Sequence, residues 1–137
     1  MLLDGKHIFV VEDNIANAGV MLTSLQINGA TTYLERWGTH LIPRLLGMPY
    51  LDLILMDLML PNGVTGYDVF DQIKAESNLA HIPIVVVSAS DANIEMQKAR
   101  DRGFKGYISK PIQYPAFAQM IASILEGNEI WGDDLFS

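Results

Sequence analysis

Three carboxylates, a hydroxyl and a lysine stand where apolar runs of this chain end. Glu12 and Asp13 close HIFVV, Asp57 closes LDLILM, Ser88 closes IPIVVV, and Lys110 follows the short run Lys105–Ile108. Brought together, the carboxylates would repel each other by roughly 4 kcal/mol per pair at 4 Å and an effective dielectric near 20. A hard divalent cation relieves that repulsion, and an all-oxygen ligand set favours Mg²⁺. With the ammonium of Lys110 and the hydroxyl of Ser88, such a cation would neutralise an incoming phosphoryl group. The chemistry open to these residues is transfer of that group to a carboxylate oxygen, which needs positioning and charge neutralisation more than an extra base.

The elements that must bring them together alternate between strand-like and helix-like segments. His7–Val11 is a short β-branched run. Asn14 can cap a helix carrying Ile15, Ala18, Leu22 and Leu25 at helical spacing, and Asn28-Gly29 stops it. Residues 30–34 read as a second strand, and 39–46 as a weaker helix that tolerates Pro43 only in its first turn. Residues 51–57 form an apolar strand followed by the turn signal Pro61-Asn62-Gly63. Thr65 with Asp68 resembles a capping box, opening a helix that buries Tyr67, Phe70 and Ile73. Residues 82–88 make a fourth strand. Asp91 caps a helix to Arg102 that Gly103 ends, residues 105–108 make a fifth strand, and a last helix runs from about Gln113 to Glu126.

Strict β/α alternation argues for an α/β fold with helices on both faces of a parallel sheet. The unalternated runs LDLILM and IPIVVV belong to strands buried on both sides. Right-handed crossovers make the fold doubly wound, and its ligands bind beyond the C-terminal ends of the strands. Glu12, Asp13, Asp57, Ser88 and Lys110 all fall on that rim.

Composition narrows the function classes. The 137 residues suffice for one domain, half of them are apolar, and there is no cysteine for disulfide or thiol chemistry. A formal charge of −7 disfavours direct binding to nucleic acid. The first residues have no signal-peptide pattern and no run is long enough to span a membrane, so the expected location is the cytoplasm. The three histidines share no ligand spacing and read as surface or strand-end residues. Seven methionines read as core filler.

The pair Glu12-Asp13, Asp57 followed by Pro61, Ser88-Ala89, and Tyr107 with Lys110-Pro111 together resemble the receiver domains of two-component response regulators, over about Lys6 to Glu126. The resemblance implies a flavodoxin-like sheet of five strands in the order 2-1-3-4-5, with a receiver domain over residues 1–126 and an acidic tail over 127–137. It implies that Asp57 accepts a phosphoryl group from a sensor histidine kinase or a histidine phosphotransfer protein. Glu12, Asp13, Asp57 and the Met59 carbonyl would hold Mg²⁺, while Ser88 and Lys110 contact the phosphoryl group. Tyr107 would be the aromatic switch, turning from exposed to buried, and Lys110-Pro111 a peptide bond that is usually cis. The output face would be helix 4, strand 5 and helix 5, including Ile94, Lys98, Arg102, Lys105 and Gln119, offered to a downstream protein or a second copy of the chain.

Two features depart from the family pattern. The glycine usually found eight positions after the aspartate is replaced by Gly66 at nine and Gly63 at six, as if one residue were inserted after Asp57. No output domain is attached, so the chain is expected to act as a stand-alone receiver, through partners or as a relay, with slow self-dephosphorylation and no turnover of a separate substrate. A receiver that had lost phosphorylation would lack the aspartate, the lysine or the acidic pair, and all are present. A phosphatase of the haloacid dehalogenase type needs an acid where Met59 stands, and flavin binding needs a phosphate loop after the first strand. The segment NEIWGDDLFS reads as a loose tail from which Trp131 and Phe136 could dock.

Overall fold

The computed structural model describes residues 1–48 and 50–132. Strands β1 (His7–Val11), β2 (Thr31–Glu35), β3 (Leu53–Met56), β4 (Ile84–Ser88), β5 (Gly106–Ser109) and β6 (Ile130–Trp131) form one parallel sheet in the order β2-β1-β3-β4-β5-β6. Helices α1 (Ile15–Ile27), α2 (Leu41–Leu46), α3 (Gly66–Ala75), α4 (Ala92–Arg102) and α5 (Ala116–Leu125) cover it. The α/β class, the helices on both faces and the order of the first five strands are as expected. The strand count is not: Ile130 and Trp131 pair with Gly106 and Tyr107 as a sixth strand. Phe136 lies outside the described residues.

Period-two alternation divides the buried strand residues between two cores. Ile8, Val10, Leu53, Leu55, Val85 and Val87 point toward α1 and α5, where they meet Met21, Leu25, Phe117 and Ile121. Phe9, Val11, Ile54, Met56, Ile84 and Val86 point to the other face, against Leu41, Val69, Phe70 and Ile73. Every residue of β3 and β4 is therefore buried, which is why both read as unbroken apolar runs.

The helix ends follow the local chemistry of the sequence. The Asn14 side chain accepts from the Asn17 amide at 2.9 Å, and Gly29 takes a φ of 99° after α1. Pro43 occupies the first turn of α2. Thr65 and Asp68 make both bonds of a capping box, and the Asp91 carboxylate caps α4. On α1, however, Ile15 is exposed, and the core positions are Ala18, Met21 and Leu25. Ile15 is the first helical residue, one step past the cap, where the chain still faces outward from the rim.

Among the described residues, no helix is long and apolar enough to cross a membrane.

Candidate functional site

Pairing of the strands sets the rim in register. Val11 lies beside Met56, and the Asp57 amide donates to the Val11 carbonyl at 3.1 Å, so the acids that follow β1 and β3 arrive together. Ser88 lies beside Ser109, and the Lys110 amide donates to the Ser88 carbonyl at 3.0 Å. The loop after β5 is thereby tied to the end of β4, and it passes through cis peptides at Lys110-Pro111 and Tyr114-Pro115.

Carboxylate oxygens of Glu12, Asp13 and Asp57 lie within 4.8 Å of one another. Glu12 is fully buried and Asp57 nearly so. The Lys110 ammonium reaches between them, donating to Asp57 Oδ2 at 3.0 Å and contacting Glu12 Oε1. That oxygen is buried and makes no hydrogen bond of regular geometry among the described residues; it relies on the ammonium contact alone. Burial pushes the Glu12 carboxyl above its usual range, against the opposing pull of Lys110. For Lys110 burial acts downward, but the Glu12 and Asp57 carboxylates outweigh it and hold the ammonium above its ordinary value.

Three carboxylates against one ammonium leave a formal charge of −2, which a divalent cation cancels. The backbone also suits such an ion. Met59 forms an antiparallel bridge with Thr65 in which the hydrogen bonds run from Leu60 to Val64 and from Gly66 to Leu58. In that arrangement the N–H and carbonyl of Met59 both face away from Thr65. The N–H donates to Asp57 Oδ1 at 3.2 Å, so the carbonyl is presented on the same side. The residues present fit Mg²⁺ as an oxygen-liganded ion that retains waters.

A cavity of about 160 Å³ opens beside Asp57, lined by Met59, Ser88, Ala89, Ser90 and Lys110. A cavity of about 500 Å³ lies at the other end of the strands, among Lys6, Asp52, His81 and Lys105, away from this chemistry.

Gly66 packs closely against the loop after β3. A Cβ there would fall on the Asp57 carbonyl oxygen and stand 3.0 Å from Leu58 Cα, both backbone atoms that cannot turn aside. Between Asp57 and Gly66 the chain makes a 3₁₀ turn over Pro61–Gly63, with Asn62 at a φ of 63° and Gly63 at 74°. Gly66→Ala should cost about 1–3 kcal/mol through overpacking of the loop that carries Asp57. Urea denaturation would read this as a lower midpoint with an unchanged slope; a wild-type midpoint would contradict the close approach.

Tyr107 does not stand exposed. It is fully buried, and its hydroxyl donates to the Ser90 carbonyl at 3.1 Å. Burial raises its pKa. Ser88 Oγ accepts from the Ser90 amide at 3.1 Å and lies 3.1 Å from Ser90 Oγ, so the inward ring and the loop after β4 share one polar cluster. Lys98 and Arg102 are exposed on α4, as expected, and make contacts that the sequence did not show. Both stack over Tyr67 on α3, and Arg102 pairs with Asp71 at 3.1 Å, because the Tyr67 ring offers these cations an electron-rich face. Ile94 is exposed as expected.

Two contributors escaped the sequence. Arg36 donates from Nε and Nη2 to the Asp13 carbonyl at 3.3 and 3.1 Å, fixing the backbone of the acidic pair. Its position just past β2 was the available signal. Ser90 carries the link to Tyr107, and only its closeness to Ser88 marked it.

The acidic rim and its lysine stand beyond the C-terminal ends of the strands of a doubly wound α/β domain. The family model for the response regulator receiver domain matches residues 8–122, and the chain belongs to that family. It is 35% identical over 120 residues to the polar-differentiation response regulator DivK of Brucella ovis, covering 88% of this chain and 96% of that protein. Among solved structures it resembles the receiver domain of a sensor histidine kinase from Pseudomonas aeruginosa, which carries a magnesium ion in its active-site cleft. That likeness has a TM-score of 0.77 and 29% identity over 90% of this chain and 99% of the other. The phosphorylated cyanobacterial phytochrome response regulator RcpA matches with a TM-score of 0.73 and 29% identity over 88% and 91% of the two chains.

Proposed function

We propose that this chain is a phosphorylation switch that accepts a phosphoryl group on Asp57 from a phosphohistidine of a sensor kinase or phosphotransfer protein. The observation that carries this is the near-buried Asp57 carboxylate held 3.0 Å from Lys110 within a cluster of three acids. An Asp57 oxygen attacks phosphorus, the phosphorus–nitrogen bond of the donor breaks, and its electron pair returns to the imidazole. Lys110 and the Ser88 hydroxyl hold the transferred oxygens, and Asp13, Asp57 and the Met59 carbonyl would ligate Mg²⁺, with Glu12 acting through a water. Bound Mg²⁺ would supply the charge that lets phosphate oxygens approach a cluster of acids. The chain turns over no separate substrate beyond slow loss of its own phosphoryl group.

A donor surface adjoins the site. Ile15, Ala16, Gly19, Val20 and Thr23 of α1 line an open apolar groove of about 450 Å³ together with Tyr114. Its start directly after Asp13-Asn14 suits docking of a donor helix that brings its histidine over the rim. Output then passes to a downstream protein through the α4–β5–α5 side, where Ser88 leads to Ser90 and Tyr107.

Incubation of the purified chain with acetyl phosphate tests the proposal. Mg²⁺ should permit addition of one phosphoryl group and a chelator should prevent it; equal uptake in both would contradict it. The ion alone should stabilise the fold, by about 1.4 kcal/mol at ten times its Kd. Asp13→Ala should erase the corresponding rise in Tm, and a melting curve of the parent unmoved by millimolar Mg²⁺ would count against the ligand set.

A further inference from the structure

The sixth strand lies across the side of the molecule through which output is proposed. Ile130 and Trp131 alternate like the other strands: Ile130 enters the core of α1 and α5, and Trp131 enters the core on the opposite face. The Trp131 ring stacks under the Arg100 guanidinium of α4 at 4.4 Å, and its Nε1 donates to Glu129 at 2.9 Å. Beyond it, the Gly132 amide donates to the Tyr107 carbonyl at 2.7 Å. Gly132 turns with a φ of 79°, and a Cβ there would stand 3.0 Å from Met96 Cε of α4.

The strand it pairs with makes room for it. A Cβ on Gly106 would stand 2.8 Å from the Ile130 carbonyl oxygen, while its contacts with Val85 and Ile124 would be ordinary at 3.5 Å. Glycine at 106 is thus required by β6 and by nothing else within reach. Only two residues form the strand, so it opens at far less cost than the core strands.

We propose that the segment Ile130–Gly132 is an autoinhibitory strap, closing the β5 edge and the slot beside α4 until Asp57 is phosphorylated. The proposal rests on Asp57 as the phosphoryl acceptor. The path is contiguous: phosphoryl oxygens draw the Ser88 hydroxyl away from the Ser90 amide, and the loop that supplies the Ser90 carbonyl to Tyr107 moves. Trp131 lines a cavity of about 290 Å³ together with Ala92, Asn93 and Met96, on the helix this loop leads into. Movement of that helix loosens the tryptophan, and the freed β5 edge can accept an extended segment of a partner in its place.

Linkage makes the test reciprocal, because whatever phosphorylation does to the strap, loss of the strap does to phosphorylation. A Trp37→Phe version of the full chain leaves Trp131 as its only tryptophan. Beryllofluoride serves as the phosphoryl mimic and intact mass after acetyl phosphate reports labelling. The strap predicts a red shift of Trp131 emission and at least about tenfold faster amide exchange at Gly132, starting from a docked strand. Gly106→Ala and, separately, Trp131→Ala should bind beryllofluoride about fivefold more tightly than the parent. A labelled protein with unmoved Trp131 emission and Gly132 exchange overturns the strap and leaves the Asp57 proposal standing. Both variants binding the mimic no more tightly also overturns it. A protein that takes up no phosphoryl group overturns the Asp57 proposal and the release together.

Discussion

Lys110→Met should destabilise the folded protein by about 3–5 kcal/mol in the absence of divalent ions, the cost of removing one partner from a buried charged group. The expectation follows from where the ammonium sits. It is the cation that contacts both Glu12 and Asp57, and Glu12 Oε1 has no regular hydrogen bond to fall back on. Without it the cluster carries three carboxylates in a space of less than 5 Å. Millimolar Mg²⁺ should restore part of the loss by supplying the missing charge, so the variant's Tm should depend on the ion more steeply than the parent's. Urea unfolding with and without Mg²⁺ measures both effects. A loss below about 1 kcal/mol would mean that the lysine is solvated and that the carboxylates do not depend on it.

Tyr107 sets the second large effect. Tyr107→Ala empties a fully buried aromatic site beneath α4 and should cost about 3–5 kcal/mol. Tyr107→Phe keeps the ring and loses only the bond to the Ser90 carbonyl, about 0.5–1.5 kcal/mol. The two variants separate packing from signalling. If the hydroxyl couples the loop after β4 to β5, the phenylalanine variant should fold nearly as well as the parent, while a phosphoryl mimic should shift NMR signals around Asp57 and no longer those of β5. Full propagation through the variant would assign Tyr107 to the core alone.

Much of the site was legible because strands buried on both faces announce themselves. LILM and IVVV end in Asp57 and Ser88, and parallel pairing then requires the acids after β1 and the lysine after β5 to share one rim. The caps were equally readable, since Asn14, Thr65 and Asp91 act on amides two or three residues away. What escaped depends on contacts remote in sequence. Ile130-Trp131 is too short to show a period, and its pairing is visible only once Gly106 lies beside it. The inward position of Tyr107 depends on a carbonyl seventeen residues away, and Lys98 and Arg102 turn to Tyr67 across a helix boundary. Ile15 kept helical spacing with the core yet faces outward, because spacing does not say where an apolar stripe begins.

The location of the phosphoryl group tests the account most directly. The 137-residue chain and its Asp57→Asn variant, each incubated with acetyl phosphate and Mg²⁺, should differ by one phosphoryl mass on the parent and none on the variant. The adduct should be discharged by hydroxylamine, as an acyl phosphate is. Undiminished labelling of Asp57→Asn, or an adduct that resists hydroxylamine, would contradict phosphorylation of Asp57.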